Sequence, residues 1–305
     1  MACAMNMPRC SPLLPPEMEL EIFKTAARVH PETIPTLLRV AYRVLTRIEP
    51  LLYETLVISY PTLPSFRHVL ETKPASFWSK NVRNLLITGN IDVSDAMLAF
   101  SVLSACTDVR NLGVYVPEDV LPYIIRPGAA TDKGRLQRLH VDAQTPIDLR
   151  LPAFMGLTHL TVPDKFDLQE FVTELPALPS LTHLRFRRAA HRESLCAVLD
   201  GCEKLEVLVM TDARSNWTVQ RVGGALGIED VRFVLMPVRV YELINDWEVE
   251  TRGGWDLWAR AEAFVDKKRR GEIQPRKLGF EFSFRVLLIV CAASRCWIVK
   301  SDGIP

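Results

Sequence analysis

The chain is poor in the features that most directly announce a function. Its 305 residues include seven cysteines, an odd number, with no C-x-x-C pair and no Cys/His group at zinc-ligand spacing. That favours free thiols over a disulfide framework and gives no zinc module of the finger type. Cys106, Cys196 and Cys202 fall in apolar segments, where a free thiol packs as a small hydrophobe. Charge of one sign is also missing: 37 Lys and Arg against 36 Asp and Glu leave a net charge of +1, so nucleic acid or a membrane surface would need a local patch. No run is long enough to span a bilayer; Val286 to Ser294 is nine residues without a charge. The first residues carry Arg9 but no apolar core of a secretory signal, so the sequon Asn216-Trp217-Thr218 carries no weight, and a cytoplasmic or nuclear protein is expected. No nucleophile–base pattern, paired carboxylates or cofactor fingerprint is present. The glycines of Val222-Gly223-Gly224-Ala225-Leu226-Gly227 precede a strand, whereas a phosphate loop joins a strand to a helix. The expectation is a protein that binds rather than catalyses, with no cofactor and no metal.

What is there is a repeat. Eight stretches place apolar residues at i, i+3 and i+5: Tyr53/Leu56/Ile58, Val82/Leu85/Ile87, Val109/Leu112/Val114, Leu136/Leu139/Val141, Leu157/Leu160/Val162, Leu181/Leu184/Phe186, Leu205/Leu208/Met210 and Ile228/Val231/Phe233. Their first members are 29, 27, 27, 21, 24, 24 and 23 residues apart, intervals that suit leucine-rich repeats, each a short strand plus a return segment. One unit cannot bury its apolar face alone, so the pattern predicts stacked parallel strands sharing one core. The fold class expected is α/β, an irregular leucine-rich-repeat solenoid with its strands on a concave face. The asparagine expected at i+8 in regular repeats survives only at Asn90.

Before the repeats, Leu14-Pro15-Pro16-Glu17 reads as a helix start, with proline pre-set for the first turn and Glu17 suiting the positive helix end. Met18, Ile22, Ala26 and Val29 form one stripe, and Leu37, Ala41, Val44 and Ile48 a second, which predicts a helical hairpin closed by Glu49-Pro50. After the repeats, Val240, Tyr241, Ile244 and Trp247 form a helical stripe; Arg252-Gly253-Gly254 breaks it; Trp258, Ala261 and Val265 resume it. Two helices closing the open end of the stack are expected there. Trp247, Trp255 and Trp258 read as packing residues, and Lys267-Lys268-Arg269-Arg270-Gly271 as a basic last helical turn followed by glycine, more simply than as a nuclear signal. The predicted segments are a disordered start (1–12), hairpin (13–52), solenoid (53–239), helical cap (240–271) and a tail of uncertain order (272–305).

Leu14-Pro15-Pro16-Glu17, Ile22-Phe23, Leu37-Leu38-Arg39-Val40 with Arg43, and Pro50-Leu51-Leu52-Tyr53, taken in that order, resemble the F-box motif. With the repeats and the aromatic, glycine-split segment from Trp247 to Gly271, the chain is similar to the F-box-like, leucine-rich-repeat-like proteins of mushroom-forming fungi. The resemblance implies a hairpin that docks on the adaptor subunit of a cullin-type ubiquitin ligase and repeats that hold a client protein. By position the adaptor face would comprise Leu14, Pro15, Ile22, Phe23, Leu37, Val40 and Leu45. The aromatic usual after the V-x-x-[RK] stretch is Val44 here, and the His30–Pro35 linker is longer and richer in proline.

Alternate side chains of a strand face opposite sides. If i+3 and i+5 point inward, i+2, i+4 and i+6 face outward, and the central units put Arg138, His140, His159, His183, Arg185 and Arg187 there. Either this basic arc grips an acidic or phosphorylated client segment through oxyanion-binding arginines, or it is a solvated strand face. The pattern L-T-H-L recurs at Leu157–Leu160 and Leu181–Leu184; with no Cys or carboxylate beside them, its histidines read as surface polar residues and not as metal ligands.

Overall fold

A computed structural model describes residues 14–125, 135–141, 147–162, 168–187, 191–212, 226–237 and 242–274. The start at 1–12, the sequon at 216–218, the glycines at 223 and 224, and the tail beyond 274 lie outside them. The chain divides between Glu54 and Thr55 into two compact units.

The first unit holds three helices rather than a hairpin: α1 (Pro16–Val29), α2 (Ile34–Leu37) and α3 (Tyr42–Leu52). Ala41 is fully extended, at φ −164° and ψ 155°, which splits the expected second helix. α3 continues through Pro50 to Leu52, because a proline in the last turn forfeits one bond without breaking the turns before it. The second stripe nonetheless shares one core: Val44 and Ile48 are buried with Ala27 and Ile34, and Phe23, Leu37 and Ala41 pack on them. The first stripe does the opposite. Met18, Ile22 and Val29 are 54%, 51% and 64% exposed, so α1 turns Phe23 and Ala27 inward and its most apolar stripe outward. Arg43 fixes α3 to α1 by a two-pronged bond to Glu19, at 2.9 and 3.1 Å.

The second unit is α/β. Eight strands, β1 (Thr55–Ser59), β2 (Asn84–Thr88), β3 (Asn111–Tyr115), β4 (Arg138–Val141), β5 (His159–Val162), β6 (His183–Phe186), β7 (Val207–Asp212) and β8 (Phe233–Pro237), form one open parallel sheet in chain order. Helices or helical turns return the chain: α4 (Leu63–Thr72) and α5 (Ala75–Asn81), then α6 (Val93–Ala105), α7 (Leu121–Ile124), a 3-10 turn at Pro152–Phe154, α8 (Leu168–Glu174) and α9 (Arg192–Gly201). α10 (Glu242–Thr251) and α11 (Leu257–Arg269) follow the last strand. Among the described residues no helix is long and apolar enough to cross a membrane.

The repeated triplets account for the sheet. From Val82/Leu85/Ile87 to Leu205/Leu208/Met210 every member is buried, and the i+3 residues stand in register across β1–β7. The eighth triplet is displaced by two residues. Leu208 pairs with Phe233, and Phe233 and Leu235 enter the core while Val231 stays half-buried. A slip of two keeps each side chain on its face, so alternation could not reveal it. An asparagine ladder also forms at a different offset from the one expected: Asn111 Nδ2 donates to Asn84 Oδ1 at 2.6 Å, and Asn84 Nδ2 to Thr55 Oγ1 at 2.9 Å. Cys106, Cys196 and Cys202 are free thiols, and burial pushes that of Cys106 up to about 12.

Candidate functional site

The strand face opposite the triplets carries two registered rows. One runs Asn84, Asn111, Arg138, His159, His183, Val207; the other Leu86, Gly113, His140, Thr161, Arg185, Val209, Val234. This face is not open. α10 and α11 lie across it, instead of only closing the end of the stack as expected. The apolar end explains why. Val207, Val209, Val234 and Met236 would face water on a bare sheet; they are buried beneath Leu257, Trp258, Ala261, Phe264 and Val265, with Tyr115 and Ile273 packed beside them. Hiding that much hydrocarbon is a strong drive to docking, at roughly 25 cal/mol per Å². At the other end Trp247 reaches the sheet at Gly113. A Cβ there would stand 2.6 Å from Leu86 Cδ1 and 3.2 Å from Trp247 Nε1, so glycine makes room for the indole.

The turn between the two helices fits its sequence. Gly253 takes a positive φ of 68°, and Asp256 caps α11 by accepting from Ala259 N at 2.7 Å. Arg260 bonds back to Asp246 at 3.0 Å, holding the pair together. The basic last turn is as expected, with Gly271 at φ 73° after it, but Lys268 is buried and donates to the carbonyl of Phe233 in the last strand at 2.7 Å. Burial lowers its ammonium to about 8, against the pull of Asp230. Trp247 and Trp258 are buried packing residues; Trp255 is exposed.

The six residues of the predicted basic arc are brought together, but largely inside. His140, His159, His183 and Arg185 are buried, and Arg138 and Arg187 half-buried. The reading of the histidines as surface polar residues is therefore corrected: α10 and α11 cover them. Glu250 of α10 meets the first group. Arg138 Nη1 donates to it at 2.9 Å, and His140 Nε2 at 3.2–3.3 Å; a carboxylate only accepts, so that nitrogen carries the proton. Thr161 Oγ1 holds the other ring nitrogen of His140 at 3.1 Å. Burial alone would raise the Glu250 carboxyl, but His140 and Arg138 outweigh it and hold it below its ordinary range. Arg185 Nε donates to Thr211 Oγ1 at 3.3 Å, and its guanidinium is depressed by burial.

His159 and His183 form the second group. Their rings stack at 4.1 Å with planes 7° apart, and Trp258 stands edge-on to both. Glu262 of α11, half-exposed, comes within 3.0 Å of His183 Nε2. Burial lowers His159 to about 2, helped by the neighbouring His183, and His183 to about 4, helped by Arg138. Both rings are thus neutral in the folded chain, while in the unfolded chain they titrate near 6.5. Between those values the unfolded chain binds more protons, so stability is complete above about pH 6.5 and is lost as pH falls toward 4 for His183 and further for His159. At about 1.36 kcal/mol per pH unit for each ring, moving from pH 7 to pH 5 is expected to cost roughly 2–4 kcal/mol. Urea midpoints at the two pH values measure this; His159→Gln with His183→Gln should flatten the slope.

Glu250, Asp256, Trp258 and Glu262 were not anticipated as site residues. A signal did exist: a solvated strand face would not carry Val207, Val209 and Val234 in adjacent strands, and the aromatic, glycine-split segment that follows is a ready cover. The chain matches no protein-family model and no curated protein.

Proposed function

We propose that this chain is a protein-interaction module of the leucine-rich-repeat kind, an irregular solenoid whose N-terminal unit docks on the adaptor subunit of a cullin-type ubiquitin ligase while the second unit recruits a client. The observation that carries the adaptor half is the outward stripe of α1. Met18, Ile22 and Val29 lie bare on it, Leu14 (42% exposed) stands just before it, and Val40 (56%) and Tyr42 (81%) are also exposed in the same unit. An apolar group of this kind on one small unit marks a binding surface. Of the seven positions implied by the F-box resemblance, Leu14, Pro15, Ile22 and Val40 are exposed; Leu45 is half-buried, and Phe23 and Leu37 support the unit's own core. The parallel strands in chain order, each returning through a helix or turn, support the repeat reading. For an acidic or phosphorylated client segment, Arg138 and Arg187 retain open surface; His140, His159 and His183 meet α10 and α11 instead, and Arg185 bonds Thr211 of β7. On this reading the protein works in the cytoplasm or nucleus and binds rather than catalyses.

Co-purification with the adaptor tests the first half. Capture by the wild type, lost in Leu14→Asp with Ile22→Asp, is the expected outcome. Capture by neither leaves a free-standing repeat scaffold; equal capture by both would mean that the adaptor is held by a surface other than this stripe.

A further inference from the structure

Two repeats carry the same four residues, Leu-Thr-His-Leu, at 157–160 and 181–184, and β5 and β6 set the two histidines side by side. Each ring leans on the threonine before it: Thr158 Oγ1 is 2.9 Å from His159 Nδ1, and Thr182 Oγ1 is 2.8 Å from His183 Nδ1. Each threonine hydroxyl also reaches a backbone carbonyl. Thr158 donates to the Gln137 carbonyl at 3.0 Å, and Thr182 to the Thr158 carbonyl at 3.2 Å. A hydroxyl has one proton; when it points to the carbonyl, the threonine accepts from its histidine and the neutral ring carries its hydrogen on Nδ1. Nε2 of both rings is then a bare lone pair.

His183 Nε2 is buried without a hydrogen bond, although Glu262 Oε1 is 3.0 Å away. The two atoms are close but not aligned as donor and acceptor, and with the ring hydrogen on Nδ1 neither has a proton to give. One ligand nitrogen from each histidine and one Glu262 oxygen lie within 4.8 Å of one another. Three acceptors facing each other with no donor among them repel, and a cation removes the repulsion. The carboxylate missing from the sequence around these histidines is supplied by α11.

We propose that His159, His183 and Glu262 bind a divalent transition-metal ion of the zinc class through two imidazole nitrogens and one carboxylate, with the remaining position left to water on the exposed side of Glu262. Nitrogen and carboxylate oxygen are the donors such an ion takes, and the threonines supply the outer hydrogen bonds that orient ligating histidines. Burial keeps both rings neutral, the form that coordinates. Arg138 and Arg269 oppose a cation here, but Arg138 is committed to Glu250, and Asp256, Asp266 and Glu206 surround Glu262 with negative charge. Because the rings are stacked nearly parallel, an ion about 2.0–2.1 Å from each nitrogen requires them to splay. Loading would therefore shift the Trp258 contact and tie α11 to β5 and β6.

The test is titration of the chelator-treated full chain with Co²⁺, then Zn²⁺. One equivalent should bind, with a visible Co²⁺ spectrum of nitrogen and oxygen ligands and no thiolate charge-transfer band. Glu262→Gln, at a half-exposed position that leaves folding intact, should weaken binding more than about tenfold, and Thr182→Val, which touches no ion, by about 10–100-fold. Circular dichroism confirms that each variant is folded. Absence of saturable binding, a thiolate band from the cysteines, or an affinity unchanged by Glu262→Gln overturns the proposal. None of these outcomes depends on adaptor docking.

Discussion

Replacing Glu250 with alanine is expected to cost about 3–5 kcal/mol of folding stability, the loss usual when one partner of a buried ion pair is removed. Glu250 is the acceptor shared by Arg138 at 2.9 Å and His140 at 3.2–3.3 Å, and its side chain is 4% exposed. Without it, a guanidinium with part of its surface covered and a fully buried imidazole N–H lose their acceptor, with no water to replace it at His140. Asp256, 3.9 Å from Arg138, is too far to substitute. Glu250→Gln keeps an acceptor oxygen and the volume, so it should cost less than the alanine. Urea unfolding of the three proteins measures the difference; a loss below about 1 kcal/mol for the alanine variant would mean that α10 is held chiefly by Trp247 and the Arg260–Asp246 bond.

The second large effect is expected at Trp258. Its indole is buried, stands edge-on to His159 and His183, and belongs to the cluster with Val207, Val209 and Val234. Trp258→Ala removes this packing and leaves a cavity, a change that costs about 3–5 kcal/mol in protein cores. The damage should be local. α11 keeps its Asp256 cap and the Lys268 bond to Phe233, but loses its largest anchor to the sheet face. Limited proteolysis should then cut within 242–274 well before the strands. Cleavage spread evenly along the chain would show instead that sheet and helices unfold as one cooperative unit.

The repeat was legible because its period is local. A unit carrying Leu136, Leu139 and Val141 cannot bury them except against its neighbours, and the alternation of a strand fixes which side chains face in. That reasoning placed seven of the eight strands in their observed register, and missed only where Phe233 and Leu235 replace Val231 and Phe233, a slip to which a period of two is blind. In the first unit the second apolar stripe was read correctly, but not the break at Ala41, which depends on one extended residue and not on periodicity. The outward turn of Met18, Ile22 and Val29 was invisible for a similar reason: a stripe shows that a helix has an apolar face, not what lies against it.

The histidine site was legible only in part. The sequence determined that Thr158-His159 and Thr182-His183 stand on neighbouring strands and on one face. It could not say that this face is covered, because the cover comes from residues 242–274, whose placement over the strands no local pattern encodes. Only the tertiary structure decided that Glu250 and Glu262 arrive beside those histidines. Long-range contact turns an open basic arc into a buried network, since once two helices exclude water, every charge beneath them must find a partner or give up its proton.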